Sequence, residues 1–183
     1  MINLRKLFIA IDISDDVATY LADYVKKSPA LRTERLVPVE NYHITAHFIG
    51  LIDEKAVVEI EDLLRTVVPR QHPFELQLKE ITPAPPGRKY TMLWGVFEDS
   101  REFIDLTDDL RATLGKFGSD TKERVPHVTL ARFRRPRVDL RCSPGGGGTD
   151  AFLVDRLTLM ESLSIPGGVY YRSLGYFPFG KWK

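Results

Sequence analysis

Two stretches of this chain, HITAHFIG at 43–50 and PHVTLARF at 126–133, open an apolar run in the same way: histidine, β-branched residue, threonine. Alternation along a β-strand puts His43, Thr45 and His47 on one face and the apolar Ile44, Ala46 and Phe48 on the other, and it puts His127 and Thr129 together on one face of the second run. A strand that is apolar on one side must bury that side against other elements. Two runs of the same kind therefore call for two similar halves, each supplying one such strand, at 43–49 and 127–133.

The segments around the two runs fit that plan. KLFIAIDI (6–13) reads as a buried strand. SDDVATYLADYVKK (14–27) has helical spacing at Val17, Tyr20, Leu21, Tyr24 and Val25, with Ser14 as cap, Asp15 and Asp16 at the positive end and Lys26 and Lys27 at the negative end. A second helix is expected over 54–67 behind Asp53, and a third over about 101–114, capped by Asp99 or Ser100 and ended by Gly115. Strands are expected at 74–81, 90–97, 151–162 and 170–177, with TPAPPGRK (82–89) as a loop. Strands outnumber helices and the helices are separated. The expectation is an α+β protein, a single bilobal domain over 1–183, with two helix-covered antiparallel sheets facing across a central cleft.

Composition agrees without selecting a function. The 183 residues are 43% hydrophobic, enough for a substantial core, and the net charge of +1 gives the whole molecule no nucleic-acid-like excess. The lone Cys142 forms no internal disulfide and suits a reducing compartment. The apolar run LFIAI (7–11) stops at Asp12, short of a signal segment or of the roughly 20 residues of a membrane span. These features lead to the expectation of a soluble, cytoplasmic monomer with no membrane partner.

The chemistry lies in the repeated histidines. Side chains two apart on a strand stand about 6–7 Å from each other, a gap that accepts a phosphate or similar tetrahedral group. If the two strands face one cleft, His43 and His127 flank one reacting atom, as acid–base catalysis requires. A zinc site on His43, His47 and His127 is a rival, but no cysteine or convincing carboxylate completes it, so no metal and no cofactor is expected. His72, in RQHPF, reads as a surface residue.

LFIAIDI, NYHITAHFIG, the tryptophan strand MLWGV, PHVTLARF and the aromatic YFPF together resemble the two-histidine (2H) phosphoesterases. The resemblance is to the RNA 2′,3′-cyclic phosphodiesterases in particular, the LigT-like "2′-5′ RNA ligases". It implies metal-free opening of a 2′,3′-cyclic phosphate at an RNA or nucleotide end to a 2′-phosphate, and the reverse ligation also belongs to it. Carried onto this sequence, it makes His43 the proton donor and His127 the proton acceptor, with Thr45 and Thr129 holding the phosphate oxygens. Phe48 and Arg132, each five residues after its histidine, would contact the terminal base by stacking and cation–π attraction. Alternation sets both on the wrong face, and only a bulge in each strand reconciles the two. The sequence departs from the family at His47, which is read as a neighbour of the site, since four residues along a strand is about 13 Å.

Between Lys122 and Arg141 stand seven Lys and Arg (122, 124, 132, 134, 135, 137 and 141) against Glu123 and Asp139, an electrostatic lip suited to an RNA end. SPGGGGTD (143–150) has no helix start behind it and reads as a mobile connector, not a phosphate loop. The rival from another class is a non-catalytic module that binds nucleotides or RNA ends, although such a binder need not keep both histidines and both threonines.

Overall fold

The structure, a computed structural model, describes residues 3–86, 89–118, 125–137, 149–166 and 168–181. In chain order these form β1 (Leu4–Asp12), α1 (Asp15–Lys27), β2 (Arg35–Leu36), β3 (His43–Asp53), α2 (Val57–Val67), β4 (Phe74–Leu76), β5 (Leu78–Ala84) and β6 (Tyr90–Phe97). Next come α3 (Arg101–Leu114), β7 (His127–Arg137), β8 (Phe152–Val154), β9 (Arg156–Ile165) and β10 (Gly168–Pro178).

The helices begin where short polar side chains can satisfy free backbone N–H groups. Ser14 Oγ accepts from Val17 N and Ser100 Oγ from Phe103 N. Asp53 accepts from Lys55 N and opens a 3-10 turn over Glu54–Ala56 that leads into α2. Each helix turns an apolar stripe inward, including Val17, Leu21 and Val25 on α1 and Phe103, Leu106, Leu110 and Leu114 on α3. Some boundaries differ from the sequence reading. The strand expected at 74–81 is two, because β4 pairs with β8 in a small separate sheet while β5 pairs with β6. The strand expected at 151–162 is likewise divided between β8 and β9. Gly50 does not end β3; at φ 93° it carries the strand through a conformation that suits glycine, and the strand continues to Asp53. β5 runs on through Ala84, into the expected loop, and the two-residue β2 has no counterpart in the sequence reading.

The fold is α+β and, among the described residues, all strand pairings are antiparallel, as expected. The larger sheet has two wings. β10-β9-β1-β3 forms one and β5-β6-β7, with β2 beside β7, forms the other. Among the described residues they meet at one residue pair, Ile44 with Val128. The wings share a plan: β1 leads through α1 to β3 as β6 leads through α3 to β7. The helices then cross over. α1, which follows β1, packs on β7 and against Gly95 of β6, while α3, which follows β6, packs on β3. A Cβ on Gly95 would lie 2.9 Å from Leu21 Cδ2, and one on Gly118, just past α3, would lie 2.4 Å from the Ile49 carbonyl oxygen. Glycine at these two places lets each helix close on the opposite wing. The core that results includes Leu21, Ile44, Leu64, Leu93, Phe103, Val128 and Leu130, all essentially without exposure. Among the described residues no helix is long and apolar enough to cross a membrane.

Candidate active site

Strict alternation fails in both motif strands at equivalent places. Along β1, Asp12, Ala10 and Phe8 pair with His43, Thr45 and Phe48, whereas Ile11, Ile9 and Leu7 pair with Ile44, His47 and Gly50. Ala46 and Ile49 are therefore extra residues; the first of these bulges exchanges the faces of His47 and Phe48, and the second restores the original phase from Gly50 on. In β7 the extra residue is Leu130: Val96, Trp94 and Met92 pair with His127, Thr129 and Arg132. Directly paired residues share a face. The bulges thus place Phe48 with His43 and Thr45, and Arg132 with His127 and Thr129, where alternation alone would separate them. The same shift overturns the expectation for His47, which turns to the helix-covered face beside Ile9 and is only 1% exposed. The three histidines of the zinc alternative do not share a face, and among the described residues no group of three or more His, Cys, Asp or Glu is placed to hold a metal.

The single pair between Ile44 and Val128 brings the two motifs together. In that antiparallel register His43 stands abreast of Thr129, and Thr45 abreast of His127. All four are partly open to solvent, while Ile44 and Val128 are fully buried on the other face.

Both imidazoles are oriented by the same device. His43 Nδ1 lies 2.8 Å from the Asn41 carbonyl oxygen, and His127 Nδ1 lies 2.8 Å from that of Val125. A carbonyl only accepts, so each Nδ1 carries the hydrogen and each Nε2 is left for chemistry. His43 Nε2 is 3.1 Å from Thr45 Oγ1. With His43 neutral, the threonine hydroxyl donates to it. With His43 protonated, the direction reverses and the hydroxyl hydrogen is released for another acceptor.

The surroundings of the two rings differ, because β1 and β6 present different residues at matching places: Asp12, Ala10 and Phe8 on one, Val96, Trp94 and Met92 on the other. His43 meets Phe8 at 4.9 Å and the edge of Tyr171 at 5.0 Å between ring centroids. Burial among them lowers its pKa below the ordinary histidine value; the Asn41 hydrogen bond and the Asp12 charge oppose that shift, and Arg132 adds to it. His127 instead lies flat on the indole of Trp94. Asn41 also ties its loop to β10, since Nδ2 donates to the Val169 carbonyl at 2.8 Å, and Thr158 Oγ1 donates to Asp12 at 2.7 Å.

Phe48 is partly exposed, with Lys6 Nζ 5.5 Å from its ring centroid, and Arg132 is exposed with Nη1 3.2 Å from Met92 Sδ. His72 is exposed, as expected of a surface residue. The basic segment is only partly available: Arg137 pairs with Glu34, and Arg134 Nε donates to the Thr33 carbonyl. Lys122, Arg124, Arg141, Cys142 and the glycine run 145–148 lie outside the described residues. Sequence reasoning missed Phe8, Asp12, Asn41, Trp94 and Tyr171. Each comes from a segment remote from one or both motifs, apart from Asn41, which sits two residues before His43.

Comparison with known proteins agrees with this architecture. The family described as the 2′-5′ RNA ligase superfamily matches residues 13–163. The chain is 28% identical over 181 residues to the RNA 2′,3′-cyclic phosphodiesterase of Methanothermobacter thermautotrophicus, an alignment covering 94% of this chain and 97% of that protein. In structure it is similar to TT0787 of Thermus thermophilus (TM-score 0.82, 23% identity, 94% and 97% of the two chains). It is also similar to the apo form of E. coli LigT (TM-score 0.78, 25% identity, 97% and 98%). With the family matched across most of its length, the chain belongs to the 2′-5′ RNA ligase superfamily.

Proposed function

We propose that this chain is a 2′,3′-cyclic phosphodiesterase that opens the cyclic phosphate at an RNA or nucleotide end to a 2′-phosphate, using its two histidines and no metal. The family and the relative's name support the activity. The observation that carries the mechanism is the convergence of two Nδ1-anchored imidazoles and two threonine hydroxyls around one strand pair. Water attacks phosphorus in line with the 3′ oxygen, the bond from phosphorus to that oxygen breaks, and the products are a 2′-phosphate and a free 3′-hydroxyl. One imidazole takes a proton from the water and the other gives one to the departing 3′ oxygen. Thr45 and Thr129 donate to the non-bridging oxygens as charge redistributes in the transition state. Phe48 and Arg132 hold the terminal base. Reverse 2′-5′ ligation takes the same path backwards.

In this proposal His127 is the proton acceptor and His43 the donor. The surroundings favour a second reading with the roles exchanged: burial favours the neutral form of His43, the form in which a base begins, and the indole of Trp94 suits a positive charge on His127. A substrate with sulfur in place of the 3′ oxygen separates the two. A thiolate leaves without an acid, so that substrate rescues the variant lacking the donor and not the variant lacking the acceptor. The parent activity is tested by incubating the protein with 2′,3′-cyclic AMP in EDTA and separating the 2′ and 3′ products. Formation of 2′-AMP is expected. Tight binding without product would leave a nucleotide-binding module, and activity lost to EDTA and restored by zinc would replace the two-histidine mechanism.

A further inference from the structure

The bulge at Leu130 brings Arg132 to the site face, and the succession of exposed Arg132, buried Phe133 and exposed Arg134 continues that phase until the register with β6 shifts again before Arg137. Arg134, two residues on, shares the face of Arg132, and Arg35 of β2 is paired directly with Arg132. Arg35, Arg132 and Arg134 are all exposed. Arg134 is held in place beside Glu34: its Nε donates to the Thr33 carbonyl and its backbone N–H to Glu34, whose other oxygen takes Arg137 and whose charge is shared between the two arginines. Among the described residues neither Arg35 nor Arg132 has an ion-pair partner. The other wing carries one cation at the matching place, Lys6, whose Nζ lies 5.5 Å from the centroid of the Phe48 ring; beside and beyond it stand Leu51, 65% exposed, and Leu4, 56% exposed.

We infer that Arg35 and Arg134, on either side of the base-holding Arg132, form a track for the phosphate backbone of a single-stranded RNA, leading away from His127 along β7; the inference rests on the cyclic-phosphodiesterase reading of the site. Side chains two apart on a strand are about 6–7 Å from each other and direct cross-strand neighbours about 5 Å, so Arg35 and Arg134 stand close enough to Arg132 to meet the phosphates next to the terminal nucleotide of an extended chain. Arginine suits the task, because its planar fork donates to two phosphate oxygens at once. A mononucleotide has only the reacting phosphate and cannot use Arg35 or Arg134. The cations therefore select for the length of the substrate rather than for its cyclic end, and because the track lies on one wing, the strand leaves the site in one direction.

The test compares a single-stranded oligoribonucleotide ending in a 2′,3′-cyclic phosphate with 2′,3′-cyclic AMP, using wild type, Arg35→Ala, Arg134→Ala and the double variant. Each substitution is expected to lower kcat/KM for the oligonucleotide about fivefold and to reduce the slope of log affinity against log salt by about 0.7. The mononucleotide should be turned over as by wild type. Equal losses on both substrates, or none on either, would overturn the track. Should wild type turn over neither, anisotropy of the labelled oligonucleotide still decides: unchanged affinity in the double variant overturns the track, whereas a selective loss upholds it and leaves the failure with the catalytic reading.

Discussion

Trp94 lies flat against His127, with ring centroids 3.8 Å apart and planes 23° from parallel, whereas the matching position on the other wing is Ala10. The indole fixes the plane of the imidazole, and its electron-rich face attracts the ring most strongly when it is charged. Trp94→Leu is expected to lower kcat about tenfold with little change in KM, the loss of about 1 to 2 kcal/mol that a desolvated cation–π contact supplies. Trp94→Phe should recover most of it. Steady-state kinetics on 2′,3′-cyclic AMP check this; a KM effect with unchanged kcat would mean that Trp94 serves the substrate and not His127.

The pKa of His43 is lowered chiefly by burial, so its protonated form is lost, as pH rises, earlier than for an ordinary histidine. The groups facing it are Asp12 from β1, Arg132 from β7, Thr45 on its own strand and the Tyr171 ring from β10. Of these the Asp12 charge favours the imidazolium. Asp12→Asn should therefore lower the His43 pKa further and move its limb of the kcat/KM profile to more acid pH, as NMR titration of the ring can follow directly. A shift toward alkaline pH would contradict the assignment.

Thr45→Val and Thr129→Val should each reduce the rate at saturation more than the affinity, by about 10- to 100-fold, because their hydrogen bonds strengthen only as charge moves in the transition state. Single-turnover rates measured beside substrate affinity separate the two effects.

Away from the site, Glu161 joins three strands. It takes Arg5 of β1 through two hydrogen bonds at 2.8 and 2.7 Å and Arg172 of β10 at 2.5 Å, with its own side chain only 5% exposed. The hydrogen bond from Arg5 is the main cause of a carboxyl pKa lowered to about 2. A carboxyl lowered on folding stabilises the protein above its unfolded pKa, about 4.3 to 4.5, and that contribution disappears as pH falls toward 2. Glu161→Gln is expected to cost about 3 kcal/mol at neutral pH. Urea unfolding of the variant should depend less on pH between about 5 and 2 than that of wild type.

The features legible in the sequence are those with a local cause. Ser14, Asp53 and Ser100 mark their helix starts by capping chemistry, and the His-x-Thr repeat marks its two strands. The features that escape it depend on partners far along the chain. Ala46 and Leu130 look like ordinary inward residues of alternating strands, and their role as bulges exists only in the register with β1 and β6. Alternation alone therefore groups His47 with His43 and sets Phe48 and Arg132 apart from the histidines. The division of 74–81 at Gln77 has the same origin, since two different strands compete for one run. Trp94 and Tyr171 are visible as aromatics in strands, with nothing local to say which ring each touches.

The crossing of α1 and α3 makes the two halves of the chain resemble subunits that have traded arms, held in one covalent thread. Each wing takes a helix from the other half of the chain, and strands cross as well: β9 and β10 complete the wing of β1 and β3, and β2 joins the wing of β7. Fragments cut near residue 70 are expected to stay unfolded alone, by circular dichroism and amide exchange, and to recover structure and turnover only when mixed. The distance between His43 and His127 is then no property of either half; it comes into being with the joint fold, and a nascent chain acquires no partial activity on the way.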